Sequence, residues 1–92
     1  MRTLSRLFRG TVMGSAQVAL NGTEAWAYLV ELDYGLRVRF EIDDWHRFNL
    51  GTGQRVPVRV PGKADVWLFI TNVTELPPIV WVTLAKRVRA VG

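Results

Sequence analysis

Residues 25–42 read AWAYLVELDYGLRVRFEI, and the way the two halves of this stretch face each other decides the fold. Upstream, Trp26, Tyr28, Val30 and Leu32 alternate with smaller or polar neighbours; downstream, Leu36, Val38, Phe40 and Ile42 alternate with Arg37, Arg39 and Glu41. Alternation at every second residue marks a strand with one buried face. A two-residue turn at Tyr34-Gly35 would set the apolar residues of one strand against the polar residues of the other. A three-residue loop, Asp33-Tyr34-Gly35, instead pairs Leu32 with Leu36, Val30 with Val38, Tyr28 with Phe40 and Trp26 with Ile42. It places Gly35 at the left-handed position of a bulged loop and Glu31 opposite Arg37.

Outward from this hairpin, turn signals recur at short intervals: Gly10, Asn21-Gly22, Gly51-Thr52-Gly53, Pro61-Gly62 and Pro77-Pro78. The runs between them are rich in Val, Leu, Trp, Phe and Tyr, the pattern of an all-β sandwich or barrel. Asn21-Gly22 is a favoured type I′ pair and predicts a hairpin before Trp26. After the central hairpin, residues 43–50 (DDWHRFNL) predict one or two helical turns. Asp43 or Asp44 caps the start, Trp45 and Phe48 share a face, and Gly51 takes the left-handed position at the end. The expectation is one mainly-β domain over residues 1–92. It has five or six antiparallel strands in a small barrel or strongly twisted sheet, one short helical segment, and a flexible basic arm at residues 1–6. Its general outline resembles SH3-like and OB-type barrels.

The later strands pose the functional question. In QRVPVRV (54–60), Val56, Val58 and Val60 share one face, and Arg55, Pro57 and Arg59 the other. Pro57 has no N–H for a ladder, which marks an edge or bulged strand. In DVWLFITNV (65–73), register alone decides the aromatics. A four-residue loop after Val60 buries Trp67 and Phe69; a loop of three or five residues puts them outside with Arg55 and Arg59. Strand 79–85 is likewise apolar on both faces, with Ile79, Trp81 and Thr83 on one parity and Val80, Val82 and Leu84 on the other. A second apolar face needs a cover, which the sequence reading assigns to the helix, the N-terminal arm or another subunit.

Composition narrows the function classes. A chain of 92 residues with no cysteine has neither disulfides nor thiolate metal sites, and fits a cytoplasmic setting. No apolar run approaches the roughly 20 residues that span a bilayer, so no membrane role is expected. Net charge is +4 and unevenly spread: residues 24–44 hold six acids and two arginines, while the remainder holds ten bases and two acids. The single histidine, His46, stands beside Asp43 and Asp44, yet a helix explains all three, and no nucleophile or ligand spacing accompanies them. The expectation is a non-enzymatic protein with no catalytic residues, metal or cofactor. Its role is binding or assembly as a homo-oligomer, through Trp67, Phe69 and Trp81 with Arg55 and Arg59 at the rim. The alternative is a single-stranded nucleic-acid binder that stacks bases on Trp67 and Phe69 and holds phosphate with Arg55, Arg59, Lys86, Arg87 and Arg89.

Overall fold

The computed structural model describes residues 10–88, so the basic arm at residues 1–6 and Arg89 lie outside the described residues. Six strands run β1 (Thr11–Leu20), β2 (Thr23–Leu32), β3 (Gly35–Glu41), β4 (Arg55–Arg59), β5 (Val66–Leu76) and β6 (Ile79–Ala85). All neighbours are antiparallel, and the ring closes in the order β1-β2-β3-β6-β5-β4 to form a small barrel. One helix, α1 (Ile42–Phe48), follows β3. The mainly-β class and the short helix agree with the sequence reading.

The first hairpin also forms as expected. Leu20 faces Thr23 across Asn21-Gly22, whose φ angles of 52° and 87° are the two positive values a type I′ turn requires.

The central hairpin takes a different register. Its turn has two residues, Asp33-Tyr34, so Leu32 faces Gly35, Leu29 faces Val38 and Ala27 faces Phe40. The three-residue loop is thereby corrected. The inward set on β2 is Ala25, Ala27 and Leu29, while Trp26 points outward and Tyr28 is half-buried on the outer wall. The apolar residues of β2 that look like a core therefore face the same side as Arg37 and Arg39. The reason lies in volume: Phe40, Trp45 and Phe48 occupy the same core, and small residues at 25 and 27 complement those rings.

Two further expectations fall with the register. Gly35 is not in a left-handed loop; it begins β3 pressed against β6, where a Cβ would collide with the Leu84 carbonyl oxygen and sit 2.9 Å from Ala85 Cα. Glu31 faces Leu36 rather than Arg37, and its carboxylate pairs with Lys63 at 3.2 Å.

Helix α1 ends earlier than residues 43–50 because Asn49 adopts the left-handed conformation (φ 54°, ψ 46°), the position assigned to Gly51 from sequence. Glu41 precedes the helix without a side-chain cap; Asp43 and Asp44 lie in the first turn, where they favour the helix dipole, and Asp44 pairs with Arg47 at 3.1 Å. Trp45 and Phe48 share the buried face as expected. Their rings pack on Phe40 at centroid distances of 6.0 and 5.0 Å, each such contact worth about 0.5–1.5 kcal/mol beyond area burial. The helix covers the end of the barrel where β3 finishes and β6 begins, and Ile42 N–H donates to the Pro78 carbonyl at 2.9 Å.

Around the ring, Val18, Leu20, Val38, Val58, Leu68, Ile70, Val80, Val82 and Leu84 fill the interior. A bulge between Ile70 and Asn72 reverses the parity of β5. Leu68 and Ile70 face inward before it; Val73 packs against the core after it. The weakest seam joins β1 to β4, which pair only at Ala19–Arg59 and Leu20–Val58.

Candidate functional site

The register of β4 and β5 answers the question posed by DVWLFITNV. Val58 faces Val66 and Val56 faces Leu68, so Leu68 and Ile70 join the valines inside while Trp67 and Phe69 stand on the outer wall. Trp67 is 53% exposed. Pro57 lies directly across from Trp67, and Arg55 directly across from Phe69. The Arg55 guanidinium carbon sits 5.1 Å from the Trp67 ring centre and 5.9 Å from that of Phe69. Such stacking contributes about 0.5–1 kcal/mol at an exposed site and lays the aliphatic stem of arginine along apolar surface.

Arg59 belongs to the rim of this wall, tied to Asp65. Its Nε and Nη2 donate to the two carboxylate oxygens at 3.0 Å each, a bidentate fork. The hydrogen bond from Arg59 holds the Asp65 carboxyl below the usual aspartate range, and the same bond raises Arg59 further. Both groups are exposed, so the pair organises the rim more than it stabilises the fold.

Trp81 does not join this group. It lies on the outer face of β6 in a row that runs Ser15, Tyr28, Arg39, Trp81, Thr74 across five strands. Arg39 stands over Tyr28 at 4.8 Å and over Trp81 at 5.8 Å; Arg37 stands over Trp81 at 5.1 Å. Tyr28 and Trp81 meet edge to face at 6.4 Å. The second apolar face expected of β6 is real, and arginines reaching across from β3 supply at least part of its cover. Sequence reasoning set Arg37 and Arg39 on the outer face but missed Trp26 and Tyr28 there, because the three-residue loop turned β2 inside out. The alternation of arginine along β3 was the available signal, since strand neighbours of an outward arginine also face outward.

The remaining candidates are dispersed. Lys86 and Arg87 are exposed just after β6, with Lys86 N–H donating to the Tyr34 carbonyl at 2.8 Å. His46 is exposed on α1 with Nε2 3.2 Å from a Glu75 carboxylate oxygen, a contact that ties the helix to β5. Among the described residues no polar or charged side chain is buried, no cluster of potential metal ligands occurs, and no helix is long and apolar enough to cross a membrane.

The chain matches no family model, no curated protein and no solved structure with which it was compared. Its surface chemistry therefore stands on its own: two arginine and aromatic groups on the barrel wall, one on β4–β5 and one on β2–β3–β6.

Proposed function

We propose that this protein is a non-enzymatic binding and assembly module that associates with further copies of itself through the β4–β5 wall. Trp67 and Phe69 form the centre of the contact, Pro57 extends its apolar area, and Arg55 stacks within it. The observation that carries the reading is the charge state of the wall around an exposed tryptophan. Asp65 pairs with Arg59, whereas among the described residues Arg55 stacks on the rings without an ion-pair partner. Apolar centres with arginine and aromatic residues, rimmed by satisfied polar groups, are the composition of stable interfaces.

The competing occupant of this wall, a single nucleic-acid strand, has less support there. Its assigned phosphate contact, Arg59, is already engaged by a carboxylate that would repel phosphate.

The test is solution mass by size-exclusion chromatography with light scattering at several concentrations. The wild type is expected to run as an oligomer, and Trp67→Ala as a folded monomer with an unchanged circular dichroism spectrum. A wild type that stays monomeric throughout, or a Trp67→Ala variant that keeps the wild-type mass, overturns the proposal.

A further inference from the structure

The outer face of β3 presents Arg37, Arg39 and Glu41 in succession, with steps of roughly 7 Å along the strand. Among the described residues neither arginine takes part in an ion pair, although both stand over aromatic rings. An open cleft of about 340 Å³ lies beside them, walled by Trp26, Tyr28, Arg39, Glu41 and Ile79 with Ser15 at its edge. Trp26 differs from the other aromatics of this wall. It is 60% exposed, and among the described residues no arginine lies over its ring.

These features divide the work that binding a polynucleotide requires. A free indole face accepts a base by stacking, and two uncompensated guanidinium groups accept phosphate. The carboxylate of Glu41 repels phosphate and accepts hydrogen bonds from the N–H groups of a base edge, so it sets the ligand's direction: base toward Trp26 and Glu41, phosphates toward Arg39 and Arg37. We infer that this cleft and the arginine row beside it bind single-stranded nucleic acid. The site is separate from the β4–β5 wall and does not depend on self-association.

The test measures fluorescence anisotropy of labelled single-stranded oligonucleotides of about 12 nucleotides with the full chain, between about 50 and 200 mM salt. Binding is expected to weaken steeply across that range. Trp26→Ala should lower affinity by about 5- to 150-fold, the loss of one stacked base. Replacing Arg37 and Arg39 together by glutamine should flatten the slope of log affinity against log salt by about 1.4, two phosphate contacts on a single strand. Tyr34→Ala, at an exposed aromatic of the β2–β3 turn outside both walls, should leave the affinity unchanged. Absence of binding at low salt, or binding indifferent to Trp26 and to both arginines, overturns the inference. So does equal loss in Trp67→Ala, which would place the strand on the other wall. A nucleoside monophosphate bound as tightly as the oligonucleotide would show a nucleotide pocket instead of a strand path, and overturn it as well.

Discussion

Leu29 stands opposite Val38 across the β2–β3 ladder, and both side chains are sealed in the core. One step along, Tyr28 stands opposite Arg39 on the outer wall. A slip of β2 by a single residue would set Tyr28 opposite Val38 or Phe40 and carry the outer residues of β2 into the interior.

This relationship gives opposite expectations for two large residues three positions apart. Leu29→Ala should cost about 2–5 kcal/mol, because it removes a buried side chain and leaves a cavity. Trp26→Ala should remain within about 0.5 kcal/mol of wild type, as a surface substitution without a buried partner. Urea unfolding followed by circular dichroism measures both. Greater damage from Trp26→Ala would reinstate the three-residue loop.

Gly35 is where β3 and β6 come closest. The methyl group of Gly35→Ala would press on the Leu84 carbonyl and force the two strands apart, a cost of about 1–3 kcal/mol for an overpacked site. Gly51→Ala is the matched control, since its methyl meets nothing nearer than Gln54 Oε1 at 3.9 Å. Thermal unfolding should show a clear drop for the first and little change for the second. Equal midpoints would mean that the close approach is absent in solution.

Acid should break the Arg59–Asp65 fork, and the sign follows from the direction of the shift. A carboxyl whose folded pKa is depressed contributes stability that is present above its ordinary value and is lost as pH falls through the lowered one. Carbon-detected NMR titration should find the Asp65 midpoint below the usual aspartate range in the wild type and restored to it in Arg59→Ala. Both groups are exposed, so global stability should change little across that window. A midpoint that ignores the Arg59 substitution would show that the fork is not populated in solution.

Much of the architecture is legible in the sequence because it rests on local chemistry. Asn21-Gly22 demands its turn, the valines of β4 define an inward face, and Trp45 and Phe48 share a helical side. The central hairpin is not legible, because two criteria conflict in it. Larger apolar residues mark the even positions of β2, whereas the barrel interior needs the small ones, Ala25 and Ala27, to fit beside Phe40 and the helix rings. That requirement comes from residues more than ten positions away, and alternation within one strand does not report it. The same cause explains the candidate surface. Trp67, Phe69 and Arg55 come together as neighbours on one hairpin, whereas the Trp26, Tyr28, Arg39 and Trp81 wall depends on a register that the local pattern misassigns.

The closure of the ring also governs how copies of this chain can meet. An open sheet offers a row of unpaired amides, a template on which another molecule's strand can grow without limit. The ladder is thinnest where β4 leaves β1, and Pro57 stands in that stretch with its carbonyl already accepting from Asn21 N–H at 2.9 Å. Proline has no amide hydrogen to offer an incoming strand. Strand addition is thus disfavoured along β4, and the self-association proposed above would use side chains of the β4–β5 wall instead.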